Sequence, residues 1–398
     1  MLQTAQNPKS EKNQLNLIVH VGFALTGVVT TMMGAVLPMF TQRWSIDDAQ
    51  AGYLFAAQNV GGLLTTLFVG EIIKRFGIKA ALVAGFGLLA TGVAGLNVSQ
   101  FGFGIAAVFL YGLGLGIALP ASNILIAELN RERRAAALNI LNFIWCIGAV
   151  IGTPALSLLI ARLNLWLPLG GLTFVLFGIG VILSQLTGCF ETETQKNIQP
   201  TSSKTTDDSK IRFALYICAF AFLVVGIENS LSGWIASLVT RLDASQRSFA
   251  SMYQAVFWVA MLFGRASAPK TLSRISEMQL LLLGVSIATL GMATILASVN
   301  FAMILLGIFI SGLGLSTIFP TTIAIFSQVL GAQAGQKSNW LFASASFGSS
   351  LLPFLVGVVS SRVTNLRVGL SVALIAGVFA TILQVQLRRL AQRNSEPH

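Results

Sequence analysis

The sequence is poor in charged residues and in residues that bind metals or form disulfides. Only 10% of its 398 residues are charged, against roughly 25% in a typical soluble domain. Its two histidines exclude a metal centre built from a histidine cluster. Its three cysteines stand at unrelated spacings, which indicates neither a disulfide framework nor a zinc site. We therefore expect no metal site.

Features typical of nucleic-acid-binding proteins and of enzymes are also missing. The net charge of +11 comes from basic residues in short clusters between apolar runs, and these clusters form no basic face. The glycine-rich stretches lack the Gly-Lys-Ser/Thr of a phosphate loop. A membrane-embedded enzyme would need a second deep acid, a Ser/His pair or a metal cluster, and only Glu228 lies at depth. We expect no nucleic-acid partner, no cofactor, no catalytic residues and no enzyme activity.

Apolar residues dominate the chain and make up 55% of it. They form twelve runs, each near the roughly 20 residues that a membrane-spanning helix needs. The runs fall at about 17–40, 50–73, 79–97, 102–127, 136–160, 166–188, 213–240, 248–264, 278–298, 301–328, 339–360 and 366–386. The sequence predicts an all-α integral membrane protein with twelve transmembrane helices in two pseudo-symmetric six-helix bundles. The N-terminal bundle is 1–190, a polar cytoplasmic linker is 191–211, and the C-terminal bundle is 212–398.

The basic residues predict the orientation of these helices. If the N-terminus is inside, 19 of the 25 Lys and Arg residues lie on the cytoplasmic side and six on the outer side. Such a bias is typical of cytoplasmic loops. We expect both termini to be cytoplasmic.

An internal repeat links the two halves of the chain. Residues 112–120 read GLGLGIALP, and residues 312–320 read GLGLSTIFP, displaced by 200 positions. A single motif of this kind would indicate only close helix packing. Two copies at one offset indicate a duplication, and transporters built from parallel repeats bind substrate between the halves near the membrane midplane.

Glu228 is the deepest carboxylate in the apolar runs. It lies in the run 213–240, between Arg212 and Arg241. An acid at that depth costs roughly 2.5–3.5 kcal/mol, so it faces protein or water and is a functional candidate by default. We predict that it is the proton-coupling group, with a structural hydrogen bond between helices as the alternative.

The loop after the second run resembles a signature of the major facilitator superfamily. Residues 70–79 read GEIIKRFGIK, close to the family's G-x-x-x-D-R-x-G-R-K, with Lys74 in place of the aspartate and Ile78 in place of the second basic residue. The resemblance extends over essentially the whole chain. In that family such charges latch the cytoplasmic ends of helices, with a plain solvated loop as the alternative here. The residues to which the resemblance gives a gating role are Glu71, Lys74, Arg75, Glu128, Arg131 and Arg265.

Within that superfamily the chain is most similar to the fucose–galactose–glucose:proton symporters. The similar stretches are 27–38, 226–234 and the Gly264-Arg265 pair. The resemblance implies a secondary active transporter for a small neutral solute, a hexose or related sugar, with proton symport. The alternative is a proton-coupled or facilitative exporter of lipophilic drugs or other small molecules, because the interior is rich in Phe and Met. We expect a monomer in a bacterial cytoplasmic (inner) membrane, with a small-molecule substrate, a proton and the lipid bilayer as partners.

Amides and tryptophans at depth are the candidates for substrate binding. A sugar needs planar polar groups for its hydroxyls and aromatic faces for its ring. The alternative is that the amides bond across helices and the tryptophans belong to interfacial belts. The predicted substrate-binding residues are Gln58, Asn59, Asn123, Asn142, Trp145, Asn229, Trp234, Gln254 and Trp258.

Overall fold

The computed structural model describes residues 8–186, 208–245 and 249–393. These residues form thirteen α-helices, one π-helical stretch and short 3-10 turns, with no strand in the described part of the chain. The α-helices are α1 Pro8–Trp44, α2 Asp48–Gly95, α3 Phe101–Leu129, α4 Arg134–Ile147, α5 Thr153–Arg162, α6 Trp166–Gln185, α7 Asp208–Leu242, α8 Ala250–Leu272, α9 Glu277–Ala297, α10 Phe301–Leu315, α11 Ile318–Leu330, α12 Ala334–Val363 and α13 Leu366–Arg393.

The predicted apolar runs coincide with these helices. Ten helical segments of the described residues are long and apolar enough to span a membrane. One of them, the 48-residue α2, is two helices, because Gly77 interrupts it with non-helical angles of φ 83° and ψ 158°. The remaining predicted run, 248–264, lies on α8, which includes Arg265 and Lys270. The predicted all-α membrane fold is confirmed.

Two predicted helices are each built from two pieces. A π-helical stretch, Gly148–Gly152, joins α4 to α5, and the pieces form one candidate span from Ala136 to Arg162. In the same way α10 and α11 lie within one candidate span, Phe301–Leu330. Most of the predicted linker at 191–211 lies outside the described residues, and its last four residues belong to the start of α7.

The packing follows the sequence repeat. A Cβ on Gly148 would lie 1.9 Å from the Ala24 carbonyl oxygen of α1. A Cβ on Gly348 would lie 1.9 Å from the Phe222 carbonyl oxygen of α7. Only glycine permits these approaches, which bring helix backbones into direct contact. The two sequence halves therefore repeat the same glycine contact.

The chain divides into two compact units. One comprises Met1–Met33 and Ala57–Ile198, and the other comprises Gly34–Ala56 and Gln199–His398. We call residues 34–56 the hairpin segment, since it contains the end of α1 and the start of α2. Although it lies early in the sequence, the hairpin segment packs with helices of the second unit.

Candidate functional site

Glu228 lies near the middle of α7, whose apolar part runs from Lys210 to Leu242. Its side chain is half-buried. The Arg265 side chain of α8 lies close enough for its charge to act on Glu228. A deep carboxylate and a nearby guanidinium can form a charge pair that protonation of the acid would break.

A glycine contact positions Arg265. The Arg265 Nε donates a hydrogen bond to the Ser316 carbonyl oxygen at 3.2 Å. The residue before it, Gly264, packs so closely on α10 that a Cβ there would lie 1.9 Å from the Ser316 Oγ. This contact explains the glycine at position 264. Arg265 of α8 thus bonds to the residue that follows α10, and its charge acts on Glu228 of α7.

Three predicted binding asparagines share one local arrangement. The amides of Asn123, Asn142 and Asn229 each donate to the backbone carbonyl four residues earlier, at 2.8 to 2.9 Å. This bond uses one of the two N–H groups, so the second N–H and the carbonyl oxygen of each amide can bind another group. Asn123 and Asn229 are half-buried, whereas Asn142 is exposed.

Gln58 has the contacts of a group that joins helices. Its Nε2 donates to the Thr30 carbonyl oxygen of α1 at 3.0 Å. Its Oε1 accepts from the Tyr111 hydroxyl of α3 at 2.8 Å. Both ends of this buried amide are therefore engaged inside the protein, as the helix-tying alternative describes.

The tryptophans and remaining amides differ in exposure. Trp234 is 0% exposed, donates from Nε1 to the Pro353 carbonyl oxygen at 3.1 Å and packs on the Phe55 ring. In this conformation a ligand cannot reach the Trp234 ring. Gln254 and Trp258 of α8 are buried, and Asn59 and Trp145 are half-buried.

The predicted gating charges of α2 lie on an exposed surface. Glu71 faces Lys74, one turn along the same helix, at 4.0 Å, with both side chains about 70% exposed. Arg75 lies over the ring of its neighbour Phe76. Exposed ion pairs within one helix stabilise little. Glu128 is half-buried at the end of α3, and Arg131, which follows α3, is exposed.

A charge network that the sequence did not predict attaches the hairpin segment to α7 and α12. The buried Asp48, first residue of α2, accepts from Arg241 Nη1 at 2.7 Å and also from Nη2. It accepts a third hydrogen bond from the Ser360 hydroxyl of α12. A Cβ on Gly357 would lie 2.3 Å from the Asp48 carbonyl oxygen, so glycine lets the backbones meet there.

A second, weaker contact lies beside this network. The Asp47 carboxylate accepts from the Ser361 hydroxyl at 2.8 Å on the exposed surface. In the sequence, Asp48 and Arg241 appear only as charges at the ends of apolar runs. That signal marks a membrane boundary and does not reveal which charges pair. Among the described residues no group of three or more His, Cys, Asp or Glu could hold a metal ion.

The chain is similar to known transport proteins along most of its length. A sequence model described as the Major Facilitator Superfamily matches residues 19–338. The glucose/mannose transporter GlcP of Bacillus subtilis is 23% identical over 383 residues, 92% of this chain and 93% of GlcP. The multidrug resistance protein MdtL of Klebsiella pneumoniae is 26% identical over 350 residues, 81% of this chain and 86% of MdtL.

A more similar relative matches only in part. The 4-hydroxybenzoate transporter PcaK of Pseudomonas aeruginosa is 38% identical over 118 residues, 29% of this chain and 26% of PcaK. The match thus spans about a quarter of PcaK.

Solved structures share the fold. The nucleoside transporter NupG superposes with a TM-score of 0.76 at 14% identity, covering 96% of this chain and 98% of NupG. A variant of the Escherichia coli fucose:proton symporter FucP gives a TM-score of 0.60 at 17% identity, covering 95% of this chain and 99% of FucP. At these identities the likeness shows the fold alone.

Proposed function

Because this chain belongs to the Major Facilitator Superfamily, we propose that it moves a small neutral solute, a hexose or related sugar, by alternating access with proton symport. It is a multi-pass membrane transporter rather than an enzyme. The observation that carries the proposal is the half-buried Glu228 near the middle of α7 with Arg265 beside it. Proton coupling and the substrate class are the parts that we propose.

Glu228 and Arg265 form the proton-coupling unit in this proposal. When Glu228 is ionised, its charge is compensated by the guanidinium that Ser316 helps to hold. When Glu228 is protonated, that attraction is lost, and the neutral carboxyl can donate a hydrogen bond. Substrate and proton then bind together if the protonated form of Glu228, and not its ionised form, favours the substrate-bound conformation.

The substrate groups of this proposal are predicted binding asparagines. Asn229 follows Glu228 directly and keeps its carbonyl oxygen and one N–H for a sugar hydroxyl. Asn123 on α3 offers the same groups. GlcP, named as a glucose/mannose transporter, supports the sugar class through its similarity to nearly the whole chain.

We propose that the hairpin segment forms part of the outer gate. The bundles 1–190 and 212–398 would move as the rocking bodies, with both termini cytoplasmic and the protein a monomer. The Asp48–Arg241–Ser360 network holds the hairpin segment on α7 and α12 in the present conformation. Opening of the outer side would require this network to separate, and hydration of both charges in the open state would offset part of the cost.

The multidrug resistance protein MdtL supports a second candidate, an exporter of lipophilic drugs. A thermal-shift screen of the purified protein separates the two candidates. Stabilisation by monosaccharides, and not by lipophilic cations, is the expected result. Stabilisation by the cations alone would favour the exporter. Sugar uptake into proteoliposomes driven by a pH gradient then tests the proposed transport itself.

A further inference from the structure

A cavity of about 440 Å³ opens where three predicted spans end together. Lys210 begins the apolar part of α7, Glu277 is the first residue of α9, and Val329 lies one residue before the end of α11. Helix ends at this level lie among lipid headgroups, because the hydrocarbon core covers only the apolar part of each span. The predicted orientation puts the cavity on the cytoplasmic side.

The cavity carries one charge of each sign. The exposed Lys210 has no ion-pair partner among the residues that the structure describes. The Glu277 carboxylate accepts a hydrogen bond from the Gln328 Nε2 at 3.2 Å, which restrains the carboxylate on the cavity wall. Lys210 can bind a phosphate as a point charge, and Glu277 can accept hydrogen bonds from a primary ammonium.

The rest of the wall is mostly apolar, with Ser276 and Gln328 as its polar members. Phe213, Ile325 and Val329 line the cavity beside the charged pair, and Phe213 and Ile325 are buried. A ligand that fits must therefore present a cation, an anion and an apolar part. Apolar amino acids and zwitterionic phospholipids both combine the three, and the position of the cavity at the level of the headgroups favours the phospholipid.

The cavity's inner wall is fixed by a hydrogen bond between helices. Gln384 of α13 is 0% exposed, and its Nε2 donates to the Met278 carbonyl oxygen at 3.2 Å. Met278 and Ile325 line both this cavity and a deeper void of about 10 Å³, which Gln384 also lines. The Gln384 Oε1 has no hydrogen-bond partner in the described part of the chain. The void is about the size of one water molecule, and this oxygen is a hydrogen-bond acceptor in its wall.

We propose that this cavity binds the headgroup of an aminophospholipid of the cytoplasmic leaflet. Its phosphate contacts Lys210, its primary ammonium donates to Glu277, and its glycerol and first acyl carbons lie along Phe213 and Val329. A choline headgroup has no N–H to donate, and the single aromatic ring of the lining forms no cage for a quaternary ammonium. A purely anionic headgroup would be repelled by Glu277.

Native mass spectrometry of the purified full chain tests the proposal. The protein is titrated with phosphatidylethanolamine, phosphatidylcholine or phosphatidylglycerol of matched acyl chains, and the bound lipid is counted. Phosphatidylethanolamine should be retained at least about tenfold more than the other two. This preference corresponds to about 1.4 kcal/mol. Equal retention of all three lipids would overturn the proposal.

Variants test whether the preference for phosphatidylethanolamine arises in this cavity. Glu277→Gln should reduce retention of phosphatidylethanolamine to the level of phosphatidylcholine, and Val329→Trp, which fills the cavity, should abolish both. The matched control Glu132→Gln removes an exposed carboxylate outside this cavity and should leave the preference unchanged. Thermal unfolding and gel filtration show whether each variant is folded.

Two further outcomes would contradict the proposal. A folded Glu277→Gln protein that keeps its preference for phosphatidylethanolamine would place the lipid elsewhere. Displacement of the lipid by millimolar soluble phosphoethanolamine would assign the cavity to a free phosphate ester instead of a membrane lipid. Retention of the lipid under that competition supports the proposal.

Discussion

The Asp48 carboxylate binds both terminal nitrogens of the Arg241 guanidinium, although 193 residues separate the two in sequence. The Asp48 side chain is 7% exposed and the Arg241 side chain 42% exposed. The buried Asp48 carboxylate therefore needs the arginine to compensate its charge. Arg241 depends less on the pair, because water can hydrate its guanidinium. A bidentate pair of this kind is stronger than a pair of exposed single charges.

We expect Arg241→Gln to destabilise the protein by about 1–3 kcal/mol, because Asp48 is left buried without its cation. The double variant Asp48→Asn/Arg241→Gln should recover part of that loss, since no buried charge then remains. Thermal unfolding in detergent measures both effects. The control Asp47→Asn alters the exposed bond to Ser361 and should change stability by less than about 0.5 kcal/mol. Equal losses in the single and double variants would show that Asp48 and Arg241 do not depend on each other.

We expect Gly348→Ala to destabilise the packing of α12 on α7, because the added methyl would lie 1.9 Å from the Phe222 carbonyl oxygen. Overpacking of this kind costs about 1–3 kcal/mol or more. Gly178→Ala is the matched control, since nothing lies within 4 Å of a Cβ there. The folded fraction after solubilisation and the midpoint of thermal unfolding give the comparison. If both variants behave as wild type, the α7–α12 contact is looser than described.

The predicted orientation is testable by cysteine labelling. A cysteine at Asp243, after α7, should react with a membrane-impermeant reagent added outside cells. A cysteine at the exposed Ser273, between α8 and α9, should react only after permeabilisation. The native Cys146 and Cys218 are buried and should contribute little background, and the third native cysteine, Cys189, is replaced by serine in both variants. The reverse labelling pattern would overturn the orientation of both termini.

Arg265 should be required for coupled transport. We expect Arg265→Gln to reduce proton-driven sugar uptake at least about tenfold, because Glu228 loses the nearby cation. Arg265→Lys should recover part of the activity, since lysine keeps the charge but lacks the Nε that donates to Ser316. The matched control Lys270→Gln changes an exposed cation of the same helix and should transport as wild type does. Full activity of Arg265→Gln would remove Arg265 from the mechanism.

The sequence predicted the helices and their duplication because these depend on local patterns. Apolar runs of membrane-spanning length determine where helices form, and glycine at 148 and 348 recurs where two backbones touch. The sequence also identified Glu228, because an acid in the middle of an apolar run is costly wherever it occurs.

Pairings between distant polar residues could not be predicted in the same way. Asp48 and Arg241 each lie at the end of an apolar run. A charge there can be hydrated or can pair with another charge, so its position in the sequence does not identify a partner. Gln58 is a predicted substrate-binding amide, and its hydrogen-bond partners Thr30 and Tyr111 are provided by two other helices. Such contacts depend on helix rotation and packing, which composition and spacing do not specify.

Transport by Glu228→Gln proteoliposomes tests the central claim most directly. Glutamine keeps the shape and neutrality of the protonated acid, so counterflow exchange of sugar should continue, while accumulation driven by a pH gradient should be lost. The exposed Glu132→Gln serves as the carboxylate control and should retain both counterflow exchange and accumulation driven by a pH gradient. If Glu228→Gln still concentrates sugar against its gradient under a pH difference, Glu228 does not couple the proton and the proposed symport mechanism is wrong.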